Sequence, residues 1–276
     1  MKIKGRTALV AGATRGIGLA IARALAAKGA RLVLPLYDDW PEDTRAVKTE
    51  FTRQEQDHVL VRADLRDPES VRKLAGIMKE RTSGLHILIN NIERGGMPVV
   101  HGSYERKINE DQWRLEMDTT LFAKKLLFEN CLPLLHSVDQ ASVINISSIA
   151  ALTGRKGPAG LIFSDGYVLA NRGVAALTAA WARIGAPGIR VNEIMLGLID
   201  TRHGEKTRGW DALSGKEKDQ LLSHTLAGRT GKPVDVVKAV MFLIRDGDYM
   251  TGSTIRLDGG YILGDEQIPP MPAGII

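Results

Sequence analysis

Along the chain, short runs rich in Val, Ile and Leu alternate with longer stretches whose apolar residues recur every three or four positions. The short runs are "TALVAG" (7–12), "ARLVLPL" (30–36), "HVLVRAD" (58–64), "LHILINN" (85–91), "SVINISS" (142–148), "IRVNEIML" (189–196) and "STIRLDGG" (253–260). Near-continuous apolar runs suit strands covered on both faces, and the period between them is helical. The alternation predicts an α/β fold: a single doubly wound, Rossmann-type domain over 1–260, with a seven-stranded parallel sheet flanked by helices.

Two helices are legible in more detail. Gly16 to Lys28 places Ile17, Ala20, Ile21, Ala24 and Leu25 on one face, and Gly29 stands where a C-cap glycine belongs. Asp67 followed by Pro68 is a cap and first-turn pair for a helix through about Arg81. The tail 261–276, "YILGDEQIPPMPAGII", is apolar and Pro-rich and is expected to pack on the domain or on a neighbouring subunit.

Composition narrows the function. With 276 residues and 44% hydrophobic content the chain has enough material for a real core. Apolar runs fall short of the ~20 residues that cross a bilayer, and the opening "MKIKGRTALVAGATRG" breaks into glycines, so a soluble, unprocessed, cytoplasmic protein is expected. The lone Cys131, in the helical setting "LFENCLPLL", reads as buried packing in a reducing compartment. The net charge of +5 is mixed along the chain, which argues against nucleic acid but leaves room for a phosphorylated cofactor or an acyl-CoA. The six histidines show no metal-ligand spacing, and no metal is expected.

Chemistry begins at "LVAGATRGIG", where glycines at 12, 16 and 18 follow the first strand and open the first helix. Side chains there would keep the backbone from a pyrophosphate, whose charge suits the free amides and dipole of a helix N-terminus. The same glycines would also serve a purely structural tight turn.

Taken in order, "AGATRGIG", "ADLRD", "LINN", "VINISS", the Tyr167 region, "GIRVNEIMLGLIDT" and "MTGSTIRLDGG" resemble the short-chain dehydrogenases/reductases over nearly the whole chain. The resemblance implies an NAD(P)-dependent oxidoreductase acting on a carbonyl or secondary alcohol. Gly12, Gly16, Ile17 and Gly18 would line the pyrophosphate, Asp64 and Leu65 would meet the adenine, and Asn90 would border the cofactor. Ile199 and Thr201 would reach the nicotinamide carboxamide. For the ribose, Leu36 stands at the usual acid position, with Asp38 and Asp39 just beyond it. These two carboxylates favour NAD(H), whereas Arg15 resembles the arginine of NADP(H)-dependent members.

At the chemical end the match is partial. Ser148 and Tyr167 stand where the family orients the carbonyl and exchanges the proton, but the lysine position holds Asn171 and the relay asparagine position holds Thr120. The usual "NNAG" is "NNIE", placing Ile92 and Glu93 beside the cofactor, and Leu196 replaces a proline. Glu93 reads as a solvated loop residue. A cation about 5 Å from the phenolic oxygen, at an effective dielectric of about 20, favours phenolate by about 3 kcal/mol, or roughly 2 pK units. Replacement could come from Arg155 or Lys156 in the enlarged loop 149–166, or from Arg172.

Three functions therefore stand side by side. The leading one is an oxidoreductase with an impaired or rewired relay, acting on a small carbonyl or alcohol as a homo-oligomer (dimer or tetramer). The second is a non-catalytic subunit, binding no cofactor, that assembles with an active paralogue. The third is non-redox chemistry on the same scaffold. The loop 149–166 and the segment "RHGEKTRGWDALSGKEKDQLL" after Thr201 are expected to wall the substrate.

Overall fold

The computed structural model describes residues 1–37, 41–53, 57–93, 110–201, 210 and 213–264, together with 266, 268–271 and 274 of the tail. Seven parallel strands run in the order β3-β2-β1-β4-β5-β6-β7. They are β1 (Thr7–Val10), β2 (Arg31–Leu36), β3 (His58–Arg62), β4 (Ile87–Asn90), β5 (Ala141–Ser148), β6 (Ile189–Leu196) and β7 (Thr254–Leu257). The order steps outward from β1 in both directions, so a crevice opens where the progression reverses, beyond the carboxyl ends of β1 and β4. Several strands end earlier than their apolar runs, because the last residues of "TALVAG" and "STIRLDGG" are glycines that turn the chain rather than extend the ladder.

Helices cover both faces. One layer holds α1 (Gly16–Ala27), α2 (Pro41–Arg53) and α9 (Pro233–Arg245), around a core of Val10, Ile21, Leu25, Leu34, Ile89 and Val240. The other holds α3 (Pro68–Arg81), α4 (Glu110–Met117), α5 (Ala123–His136) and α7 (Asp165–Gly185), around Leu9, Leu74, Leu88, Phe128, Cys131 and Trp181. In α1 the buried set is Gly18, Ile21, Ala22, Leu25 and Ala26, so the inward stripe lies one position away from the expected Ile17–Ala20–Ala24 edge. Trp181 stacks on Phe128 at 4.3 Å, and burial pushes the Cys131 thiol up to about 12, which makes it packing rather than a nucleophile.

The α3 start forms as the residues dictate. The Asp67 carboxylate accepts from the amides of Glu69 and Ser70, with Pro68 in the first turn. Asp67→Ala is expected to lower stability by about 1 kcal/mol, read as a shift in the urea unfolding midpoint.

A third cluster sits beyond the carboxyl ends of β5 and β6, under the enlarged loop. It joins Ile149, Phe163, Tyr167, Leu198, Trp210 and Tyr261, with the short helices α6 (Ala150–Thr153) and α8 (Gly215–Ser223) around it. Tyr261, fully buried, accepts through its hydroxyl from the amide of Ala159, so the start of the tail is tied to the loop. Among the described residues no helix is long and apolar enough to cross a membrane.

Candidate active site

The N-terminus of α1 follows β1 through the glycine turn. Gly12 has φ +68°, and a Cβ there would lie 2.5 Å from the Asn91 carbonyl oxygen; a Cβ at Gly18 would lie 2.1 Å from the carbonyl oxygen of Gly12. These two glycines are therefore fixed by the close approach of the turn to itself and to the end of β4. Gly16 borders Thr201, whose methyl would stand 3.1 Å from an added Cβ, so the turn and the segment after β6 converge. Arg15 is the N-cap and makes no side-chain cap to the first turn, which leaves the leading amides of α1 for an external acceptor. That arrangement fits a dinucleotide pyrophosphate.

Around this turn the other expected residues fall as follows. Asn90 ends β4 and donates to Asn145 Oδ1 at 2.8 Å, while its own Oδ1 is buried and unpartnered. Ile199 bridges to Gly231, and the Thr201 amide donates back to the Ile199 carbonyl. Asp64 forms a bidentate pair with Arg66, which holds its carboxyl below the usual range, and Arg66 lies over the Tyr37 ring. Leu65 is buried in the core beneath α3, and Leu36, at the acid position of NAD-selecting sites, is also buried. Asp38, Asp39 and, of the segment following Thr201, residues 202–209, 211 and 212 lie outside the described residues.

The chemical end is built on α7. Its N-cap Ser164 accepts from the Tyr167 amide and donates to Glu116 Oε1 at 2.7 Å, a buried carboxylate placed at the positive end of the helix. Glu116 comes so close that a Cβ on Gly166 would be 2.4 Å from its Oε2, which explains the glycine before the tyrosine. Tyr167, stacked near Phe163 at 5.7 Å, is thereby held by the first turn of α7. Ser148, at the end of β5, accepts from the Ala150 amide at 3.1 Å and is almost fully buried.

The Tyr167 hydroxyl donates to Glu93 Oε1 at 2.9 Å. This corrects the expectation that Glu93 is a solvated loop side chain: Ile92 and Glu93 follow directly from β4, and the loop delivers the carboxylate to the phenol. Asn171 is fully buried and donates to the Tyr167 carbonyl at 3.0 Å, one turn back on its own helix, leaving Oδ1 unpartnered. It holds the backbone, as a buried amide without a charge can. Two of the three suggested replacement cations make contacts elsewhere. Arg172 donates to the Ala151 carbonyl, and Arg155 lies 3.9 Å from the exposed Asp165.

Thr120 sits in a π turn, Asp118–Phe122, between α4 and α5, with the Ala123 amide reaching back to the Asp118 carbonyl. Such wide turns concentrate at functional sites. The Thr120 hydroxyl is buried and unpartnered, and its carbonyl accepts from Lys124 Nζ at 2.8 Å. Lys124 is a site residue the sequence reading missed. The signal was available: counting back four from Phe128 and seven from Cys131 puts position 124 on the buried face of α5.

Comparison with known proteins settles the kinship. The family model described as enoyl-(acyl carrier protein) reductase matches residues 12–262. A 3-oxoacyl-[acyl-carrier-protein] reductase of Staphylococcus aureus is 30% identical over 257 residues, which is 92% of this chain and 97% of the relative. The chain belongs to the short-chain dehydrogenase/reductase family. The Haemophilus influenzae enzyme of the same name is 30% identical over 263 residues, covering 95% of this chain and all of that one (100%). Among solved structures, a blue fluorescent protein from a metagenomic library in complex with NADPH superposes with TM-score 0.78 at 26% identity, over 95% of this chain and 99% of that one. A short-chain dehydrogenase/reductase mutant of Serratia marcescens shares the fold at TM-score 0.79 and 24% identity, over 95% and 99% of the two chains. This dehydrogenase/reductase chain thus has the family's sheet order and glycine turn, together with a Tyr167–Glu93 contact at its chemical end.

Proposed function

We propose that the chain is an NAD(P)-dependent oxidoreductase interconverting a secondary alcohol and a carbonyl, and that its acid–base group is the Tyr167–Glu93 pair. The observation that carries this is the 2.9 Å hydrogen bond from the Tyr167 hydroxyl to the Glu93 carboxylate. A nearby lysine activates a tyrosine by favouring phenolate. A neighbouring carboxylate disfavours that anion but removes the need for it, because a base already stands at the phenolic proton. In the oxidative direction a substrate hydroxyl passes its proton to Tyr167 Oη while the Tyr167 proton moves to Glu93. In the reductive direction the proton returns from Glu93 through Tyr167 to the carbonyl oxygen.

Ser148 is the hydroxyl that holds the substrate oxygen in this scheme, and Thr120 and Asn171 shape the pocket without adding charge. Gly12, Gly16, Ile17 and Gly18 would cradle the pyrophosphate, Asp64 and Leu65 would border the adenine, and Asn90, Ile199 and Thr201 the nicotinamide. When bound, that cofactor supplies the hydride acceptor or donor. The NAD(H) preference rests on Asp38 and Asp39; among described residues Arg15 favours NADP(H), and the solved neighbour holds NADPH. The names of the curated relatives support a 3-oxoacyl thioester on acyl carrier protein as the first substrate class to assay.

Titration of the purified protein with NADH and NADPH, followed by nicotinamide fluorescence, is expected to give saturable binding in the micromolar range, tighter for NADPH. Failure of both to bind below millimolar concentration would sink the oxidoreductase assignment and favour a non-catalytic subunit.

A further inference from the structure

The charge missing from position 171 has a counterpart on a different helix. Lys124 stands at the start of α5, four residues after Thr120, and is fully buried. Its Nζ donates to the carbonyls of Ile92 at 2.6 Å and Thr120 at 2.8 Å. Ile92 immediately precedes Glu93, so the ammonium fastens the backbone that delivers the carboxylate to Tyr167. The carboxylates acting on it are Glu93 and, from β6, Glu193, which is itself held by Ser147 and Thr254.

A buried ammonium is costly unless opposite charge and acceptors surround it. Lys124 has two carbonyls and two carboxylates, placed by three separate elements, and the Glu93 arm leads directly to the phenol. We propose that Lys124 is a positioning residue that supplies, from α5, the positive charge the family carries on the tyrosine's own helix, acting on Tyr167 through Glu93. This rests on the Tyr167–Glu93 pair being the acid–base group. The cation offsets the Glu93 charge, and its two hydrogen bonds lock the π turn to the end of β4. Burial draws the Lys124 ammonium down to about 8, against the pull of Glu93 and Glu193. The charge is present below that pH and lost as the pH rises through it.

Two measurements test this. In the cofactor-free protein, the Lys124 side-chain NMR signal is expected to titrate near 8 and, in Glu93→Gln, to move down by about one pH unit, since coupling between the two groups is reciprocal. An unmoved midpoint overturns the proposal. In the second, kcat/KM for alcohol oxidation should fall above about pH 8 in the natural protein. Lys124→Met should be slow at every pH without that limb, and Lys124→Arg should carry activity further into the alkaline range. A slow Lys124→Met variant that kept the limb would mean a structural role only and would overturn the proposal, as would wild-type kinetics. Absence of turnover with either dinucleotide, with the NMR coupling intact, would sink the oxidoreductase function and leave the Lys124–Glu93 coupling standing.

Discussion

Replacing Tyr167 by Phe is expected to cut turnover by about 10²- to 10⁴-fold, the span that a positioned proton donor contributes. The ring, stacked near Phe163 and packed with Ile149 and Trp210, loses only its hydroxyl, so the fold and the third cluster should persist. Dinucleotide affinity should change by less than about threefold, because no residue of the glycine turn is touched. Initial rates and fluorescence titrations on the same preparation separate the two effects. If the Phe variant kept the natural rate, Tyr167 would leave the scheme and Glu93 would have to meet substrate directly.

Gly18→Ala should be the most damaging small substitution in the molecule. Its methyl would stand 2.1 Å from the Gly12 carbonyl oxygen and 2.7 Å from the Asn91 amide nitrogen, and the first of these is backbone. The turn would have to open, at a cost of about 3 kcal/mol or more. Because the same turn presents the first amides of α1, dinucleotide binding should be lost along with stability. Thermal unfolding and the fluorescence titration would show both; a variant that bound normally would mean that the turn opens without moving those amides.

The fold was legible because its cause lies in the order of residues. Apolar runs of strand length separated by helical periods leave few arrangements, and the glycine turn marks where the first helix starts. Ser148 and Tyr167 were legible for the same reason: each sits at a strand end or helix start that the pattern locates. Glu93 and Lys124 were not, because their roles depend on contacts between distant segments. Nothing local to "NNIE" says that its carboxylate meets a phenol 74 positions away, and the helical period that separates Lys124, fully buried, from Lys125, which pairs with Glu129 at the surface, does not say what the buried ammonium meets. Counting along the tyrosine's helix found the empty lysine position but could not see a cation arriving from another helix.

The π turn at Asp118–Phe122 makes the pocket depend on chain length as well as on residue identity. Each residue advances an α-helix by about 100°, and the wide turn absorbs one extra residue, so α5 keeps its face toward the site while the sequence period slips by one position. Inserting one further residue ahead of Lys124, with no second wide turn to absorb it, would keep every side chain of α5 in the protein yet swing Lys124 about 100° around the axis. The ammonium would then face a different neighbour, as a gear shifted by one tooth still turns but no longer meshes.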